Sequence, residues 1–245
     1  MPPLEKAGWN FSCKYNSIML QIKTKKRTGN PMGIPTMTLI SPKKSRATPV
    51  HCILYKYAQE MADKCPIEKG CMIYALVDGA FIFGDFIEAL IIKNRWLVKE
   101  LTISTLGYNQ GNVDSLKNLV TGGYVEKINL LVSVEFWAFE RSKNALIPYT
   151  YSILGADDFP FQLSVCDTHM KVINIRTECG LKICIHGSAN IRSSGNLEQI
   201  MVQECENLYD FNQGVMDTIT EQYKTVKVPI RKSKQWNLLV LPVNF

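Results

Sequence analysis

The chain has 245 residues, of which 46% are hydrophobic, and it carries a formal net charge of +6 at pH 7. This length favours one domain with or without extensions, and the composition allows a proper core. No apolar run approaches the roughly 20 residues that a membrane-spanning helix needs, and no signal-peptide pattern opens the chain, so we expect a soluble, cytoplasmic protein.

Basic residues are concentrated at the two ends of the chain. Residues 1–59 hold ten Lys or Arg and one acid, and residues 224–245 hold five and none, so the body between them is acidic. We therefore expect a basic N-terminal arm at 1–51, a folded domain at 52–223 and a basic C-terminal extension at 224–245. The basic clusters of the arm comprise Lys23, Lys25, Lys26, Arg27, Lys43, Lys44 and Arg46.

Clusters of this kind favour a nucleic-acid partner, because neutralising phosphates releases counterions. A solvated tail that keeps the protein soluble is the alternative. The arm by itself does not decide between the two.

Strand and helix patterns alternate through the body of the chain, which predicts an α/β domain with a sheet between helical layers. In chain order the patterns predict a strand at 71–79 buried on both faces, a helix at 83–96, a strand at 99–106, a helix with Asn112 as its N-cap and Gly122-Gly123 at its end, a strand at 127–137, and a helix at 142–154 that contains Pro148. Two strands that carry a polar motif come next, followed by a strand at 199–204 and a helix at 208–223.

The eight cysteines form no C-x-x-C pair, and several lie in apolar strands, so we expect reduced, buried thiols. The three histidines, His51, His169 and His186, are not spaced from the cysteines as zinc ligands are. We therefore expect neither a metal site nor a cofactor.

The polar motif begins with His169 and Lys171, two residues apart. On a β-strand both side chains leave the same face, while Met170 and Val172 turn to the apolar side. A histidine that attacks phosphorus and a lysine that supplies positive charge would then share one surface.

A second strand, at 182–186, ends at Gly187, where a missing side chain allows close approach to an anion. Ser188 and Asn190 follow and offer neutral donors to phosphoryl oxygens. Glu198 is suited to accept a hydrogen bond from the far ring nitrogen of His169 and so to fix its tautomer. With lysine supplying the charge, the chemistry needs no metal.

A purely structural interpretation of the same residues is a solvated strand face, a turn at Gly187-Ser188 and a polar loop from Asn190 to Gly195. Each short motif taken alone fits this interpretation, because polar strings recur by chance. The order and spacing of the three segments favour the catalytic one. His186 shares the strand parity of Ser188 and is a weaker candidate for a direct role.

The pattern H-x-K, G-S-x-N, N-x-E at 169–171, 187–190 and 196–198 resembles the signature of the phospholipase D superfamily. The resemblance implies a phospholipase D-like sheet flanked by helices, and a site made of His169, Lys171, Ser188, Asn190 and Glu198. It also implies a phosphohistidine intermediate. The family has an aspartate five residues after the lysine, whereas this chain has Arg176, and its H-x-K to G-S interval is lengthened around Glu178-Cys179-Gly180.

The motif occurs once in the chain, and in the superfamily two copies meet across a two-fold axis. The resemblance therefore implies a homodimer with His169 of both subunits in one cleft. The expected function is that of a metal-independent endonuclease that cleaves DNA or RNA. A nucleic-acid-binding protein of the same fold that has lost catalysis, to which Arg176 gives weight, and a lipid phosphodiesterase remain as alternatives.

Overall fold

The computed structural model describes residues 53–55, 58–77, 82–140, 146–156, 158–192 and 196–222, with the backbone alone for 53–55. The predicted N-terminal arm with its seven basic site candidates, and the predicted C-terminal extension, lie outside the described residues. The domain boundaries predicted from the sequence therefore stay predictions.

Eight strands and six helices make up the described part of the chain. In chain order they are β1 (Ile53–Tyr55), α1 (Ala58–Lys64), β2 (Met72–Val77), α2 (Phe83–Asn94), β3 (Val98–Thr105), α3 (Gln110–Thr121), β4 (Ile128–Ser133), α4 (Val134–Glu140), α5 (Leu146–Leu154), β5 (Phe161–Cys166), β6 (Val172–Thr177), β7 (Lys182–Gly187), β8 (Glu198–Glu204) and α6 (Glu206–Gln222).

The strands form one mixed sheet in the order β1-β2-β8-β7-β6-β3-β4-β5. The pairs β1/β2, β3/β4 and β4/β5 are parallel, whereas β2/β8, β8/β7, β7/β6 and β6/β3 are antiparallel. The antiparallel hairpin of β6 and β7 thus lies in the middle of the sheet, with parallel strands on both sides. The expected α/β class is confirmed.

One face of the sheet is apolar and forms the core. Ile103 lies opposite Ile173, Ile173 opposite Ile185, and Ile185 opposite Val202, so that one row of branched side chains crosses four strands. This row belongs to a single buried cluster with side chains of α1, α2, α3, α4 and α5, to which the described residues of α6 add none. Each such side chain contributes about 1.5–3 kcal/mol when fully buried.

The opposite face of the sheet is polar and lies against α6. The Nδ2 of Asn174 on β6 donates to the carbonyl of Tyr209 at 3.1 Å and to Gln213 Oε1 at 3.2 Å, and Gln213 Nε2 donates to Thr102 Oγ1 on β3 at 3.1 Å. Cys184 of β7 donates to Asn174 Oδ1 at 3.1 Å. Since buried polar groups cost free energy when unpaired, these bonds fix where α6 crosses the sheet.

Several predicted elements are confirmed and others need correction. The strand at 99–106, the helix at 83–96, the strand at 199–204 and the final helix match β3, α2, β8 and α6 within two residues. The N-cap of α3 is Asn109, not Asn112, which is the reciprocal partner in a capping box. The predicted strand at 127–137 ends at Ser133, and Trp137 lies in α4.

Further corrections concern burial and missing elements. Strand β2, the described part of the strand predicted at 71–79, is buried on one face only, since the side chains of Met72, Tyr74 and Leu76 are half-buried. Strand β5 was not expected, nor were β1 and α1. Pro148 lies in the first turn of α5, where its missing N–H leaves no hydrogen bond unmade, so the helix forms around it.

Candidate active site

The predicted site residues lie at one edge of the sheet. Strands β2, β3, β4 and β5 end at this edge, β7 ends there as well, and β6 and β8 begin there. Helices α2, α3 and α4 start from the same side, because each follows a parallel strand. Such an edge is the usual position of ligand sites in α/β proteins, since loops and helix starts converge on it.

His169 and Lys171 lie in the segment between β5 and β6, not on the strand itself, which begins at Val172. A turn around Thr168 presents His169 to solvent, with the Met170 N–H donating to Thr168 Oγ1 at 3.1 Å. The ammonium of Lys171 turns back to His169, 3.2 Å from its carbonyl oxygen and 3.4 Å from Nδ1. The two side chains therefore lie on the same side of this segment, although the segment is not part of a strand.

Ser188 and Glu198 meet directly at the start of β8. The Ser188 hydroxyl donates to the Glu198 carboxylate and accepts a hydrogen bond from the Gln199 N–H at 3.0 Å. The predicted contact of Glu198 with the His169 ring stays a prediction. By donating this hydrogen bond, the Ser188 hydroxyl positions the Glu198 carboxylate.

Gly187 allows a close approach of two backbones. A Cβ added there would lie 2.0 Å from the carbonyl oxygen of Gln199 and 2.9 Å from Ile200 Cα. The sequence interpretation assigned this glycine to anion approach, and the structure gives a different reason: the chain of β8 fills the space that a side chain would take.

Asn190 is anchored to the end of β3. Its Oδ1 accepts a hydrogen bond from the Leu106 N–H at 3.1 Å and lies 3.2 Å from Thr105 Oγ1. The next carbonyl, that of Ile191, accepts from the Gly84 N–H at 2.7 Å and from Asn112 Nδ2 at 3.0 Å. The segment after β7 is thus fixed to β3, α2 and α3.

The two motif segments are brought together at this edge. The Gly187 N–H lies 3.4 Å from the carbonyl oxygen of Lys171, and Ser104 Oγ donates to the carbonyl of Met170 at 3.4 Å. The end of β3 therefore supports the H-x-K segment through Ser104 and the G-S-x-N segment through Thr105. These two residues were missed, because nothing in the sequence marks a threonine 85 positions away as a partner of Asn190.

Two cations at this edge, Lys171 and Arg192, form no ion pair with the described residues. Within the described part of the chain, no carboxylate lies within 4.0 Å of the Lys171 ammonium or of the Arg192 guanidinium. Arg192 is exposed and follows Ile191 directly. A phosphate group at this edge would meet cations that have no competing carboxylate among those residues.

His186 lies on the other side of the sheet from the apolar core. It pairs with Val172 across the hairpin, and it shares its side with Cys184, whose thiol lies 3.7 Å from Asn212 of α6. Its ring contacts Gln203 Nε2 at 2.9 Å, and burial lowers its pKa. Its side chain therefore belongs to the α6 side of the sheet, and its direct role stays a prediction.

Arg176, which stands where the family has aspartate, forms an ion pair. It lies directly opposite Glu100 on β3, with its guanidinium 3.2 Å from Glu100 Oε2, and Lys127 binds the other carboxylate oxygen at 2.6 Å. Burial alone would raise the pKa of Glu100, but the hydrogen bonds and charges of Lys127 and Arg176 outweigh it and hold the pKa below 4.5. The pair lies near the opposite end of the strands, so its effect is structural.

The cysteines of the described part are all free thiols. Cys65, Cys71, Cys166 and Cys184 are buried, Cys179 is exposed at the turn between β6 and β7, and Cys205 is half-buried. Burial raises the pKa of Cys65 and Cys184 to about 12. Among the helices that are described, none has the length and apolar character that a bilayer crossing requires.

No family model matches the chain, and no curated relative does. Among solved structures the chain is similar to TrmBL2, an archaeal chromatin protein (13% identity, 68% of this chain and 59% of that one, TM-score 0.42). It is also similar to Nuc from Salmonella typhimurium (13% identity, 52% and 80%, TM-score 0.40) and to NucT from Helicobacter pylori (13% identity, 64% and 100%, TM-score 0.42). Because these sequence identities and TM-scores are low, the function of this chain has to be inferred from its own residues. Nuc is a phospholipase D family member.

Proposed function

We propose that the chain is a phosphodiesterase that cleaves DNA or RNA with His169 as its nucleophile and without a metal ion. The observation that carries this proposal is the meeting of two distant motif segments at one edge of the sheet, where the Lys171 ammonium lies beside a histidine exposed to solvent and Asn190 is anchored to the end of β3.

In the proposed reaction a His169 ring nitrogen attacks phosphorus. A nitrogen–phosphorus bond forms as one phosphorus–oxygen ester bond breaks, and the leaving oxygen takes a proton from a second histidine. Water then attacks phosphorus, breaks the nitrogen–phosphorus bond and gives its proton back to that second histidine. Lys171 and the Asn190 amide stabilise the negative charge on the phosphoryl oxygens.

The second histidine comes from another copy of the chain in this proposal, because His186, the other described histidine, lies on the α6 side of the sheet with its ring held by Gln203. A two-fold dimer would bring both copies of His169 to one phosphorus. Coexpression of wild type with an excess of His169→Ala should then suppress activity. Full activity at the mass of a single chain, 27.8 kDa, would exclude the shared site.

Nucleic acid is the proposed substrate because of the two basic ends of the chain and because Lys171 and Arg192 at the edge have no carboxylate partner among the described residues. The test is release of acid-soluble nucleotides from single- and double-stranded DNA and from RNA, with EDTA present. His169→Ala should abolish the release, and His186→Ala should retain it as the matched histidine control.

The alternatives predict different results in the same assay. A catalytically inactive nucleic-acid-binding protein would retain the substrates without releasing nucleotides, and a lipid phosphodiesterase would release headgroup from phospholipid vesicles but leave nucleic acids intact. Loss of nucleotide release in EDTA that magnesium restores would contradict the metal-independent mechanism.

A further inference from the structure

The orientation of the Asn190 amide is fixed by a donor that cannot change its role. The Leu106 backbone N–H points at one of the two terminal atoms of the Asn190 amide, at 3.1 Å, and a backbone N–H can only donate a hydrogen bond. The atom it meets is therefore the amide oxygen. Because the amide is planar, its NH2 group lies on the other branch and cannot also face the end of β3.

Thr105 completes this anchor from inside the domain. Its hydroxyl is fully buried and accepts a hydrogen bond from the Ile191 N–H at 3.4 Å. The hydroxyl proton is shared between two acceptors, the Gly107 carbonyl oxygen at 3.0 Å and Asn190 Oδ1 at 3.2 Å. One hydroxyl thus contacts both the side chain of Asn190 and the backbone that follows it. Any rotation of the amide would place NH2 against the Leu106 N–H.

The two neutral donors of the motif consequently differ. The hydroxyl proton of Ser188 is bonded to Glu198, whereas the Asn190 NH2 has no hydrogen-bond partner among the residues that the structure describes. Of the two, Asn190 alone retains donor hydrogens for a phosphoryl oxygen.

We propose that Thr105 is a positioning residue, which together with the Leu106 N–H holds the Asn190 oxygen inward and turns its two amide protons to the phosphate. This inference rests on the proposed function for its substrate, a phosphodiester. It assigns to the buried end of β3 a role in presenting the donor, in addition to its role in packing.

The test compares Thr105→Val, which keeps the shape and removes the hydroxyl, with Thr105→Ser, which restores it. With bis(4-nitrophenyl) phosphate as the probe and EDTA present, Thr105→Val should lower kcat about tenfold, as expected for one lost hydrogen bond, with a smaller change in KM. Thr105→Ser should recover most of the rate. Asn190→Asp, which keeps the inward oxygen and loses the donors, should lose on the order of 10²–10³.

Thr102→Val provides the matched control for a merely structural effect. It removes another fully buried hydroxyl from β3, one that accepts hydrogen bonds from Gln213 and Asn129 on the α6 side. Thr102→Val should lower the thermal midpoint at least as much as Thr105→Val and leave kcat unchanged. If kcat falls in both Thr105→Val and Thr102→Val, in proportion to the loss of thermal midpoint, the proposal is overturned.

A second readout does not depend on turnover. The side-chain NH2 signals of Asn190, assigned by their loss in Asn190→Asp, should shift in the ¹⁵N NMR spectrum when inorganic phosphate is added to wild type and Thr105→Ser, but not to Thr105→Val. Equal shifts in all three proteins, or none in wild type, would overturn the positioning role. A wild type that cleaves no diester while its Asn190 signals respond to phosphate would refute the proposed function and leave the orientation intact.

Discussion

The two ends of the sheet use charge in different ways. At the end where β3 and β7 begin, each cation on or next to these strands has an acid: Lys99 with Glu126 and Glu178, Lys127 and Arg176 with Glu100, and Lys182 with Glu206 and Asp210. At the other end Lys171 and Arg192 have none among the described residues. Neutralised charge ties the strands to one another and to α6, whereas charge left without an acid among the described residues is available to a ligand.

Removing Lys171 should give the largest effect and sharpen this comparison. Lys171→Ala should lower kcat/KM by about 10²–10³, the loss that follows deletion of one electrostatic stabiliser. Lys182→Ala is the matched control, because its ammonium at the opposite end binds only Glu206 and Asp210 in the described part and stacks over Tyr209. It should lower the thermal midpoint slightly and keep the rate. Equal rate losses in the two variants would break the comparison.

A second prediction concerns the close approach of β7 and β8. Gly187→Ala should reduce the free energy of unfolding by about 1–3 kcal/mol, because the new methyl group would overlap the Gln199 carbonyl and force the strands apart beside Ser188. Gly214→Ala is the control within α6, where no heavy atom lies within 4 Å of the added Cβ. That variant should gain about 0.5–1 kcal/mol from helix propensity. Urea unfolding measures both, and a loss in both variants would argue against the steric explanation.

The third prediction concerns the paired end of the sheet, where the effect depends on pH. Glu100→Gln should cost about 1–3 kcal/mol at pH 7, because Lys127 and Arg176 lose a charged acceptor. The pKa of Glu100 is lowered in the folded state, so its contribution is present above the ordinary value of 4.5 and is lost as pH falls through the lowered pKa. Unfolding at neutral pH and in acid should show the difference between wild type and variant shrinking in acid. A difference that does not change with pH would contradict this explanation.

The sequence pattern predicted the core elements well because burial on one face leaves a periodic signal. Phe86, Leu90 and Ile91 of α2 are fully buried, and their spacing set the helix. The same signal failed for β2, whose residues are apolar on both faces although one face is only half-buried. Hydropathy does not distinguish a covered apolar side chain from a half-exposed one.

The end of β4 shows what a periodic pattern alone misses. The apolar run continues past Ser133, yet the Ser133 hydroxyl accepts the Phe136 N–H at 3.1 Å and so starts α4. A serine three residues before the N–H that it binds is an N-cap signal in the sequence, and it outweighs the apolar run. Strand β5 is bounded by Pro160 and Asp167, which are turn residues, and these boundaries were available to the sequence interpretation.

For the candidate site, the sequence predicted which segments matter but not what holds them. The order of the motif identified His169, Lys171 and Asn190, and the roles of these residues stay predictions until they are measured. The supports come from Ser104, Thr105 and the Leu106 N–H, which lie far away in the chain and carry no polar pattern of their own. Only the pairing of β3 with β6 brings them to this edge.

The two hydrogen bonds to the Ile191 carbonyl make the segment after β7 sensitive to substitutions that are distant in the sequence. Gly84 donates one of them, and a methyl group at Gly84 would lie 2.3 Å from the Asn112 amide that donates the other. A single substitution at the start of α2 would therefore disturb both hydrogen bonds at once. Both are accepted by Ile191, the residue that follows Asn190 in the chain. A substitution at Gly84 is in this sense a change in the site, although the residue itself has no functional group to offer a substrate.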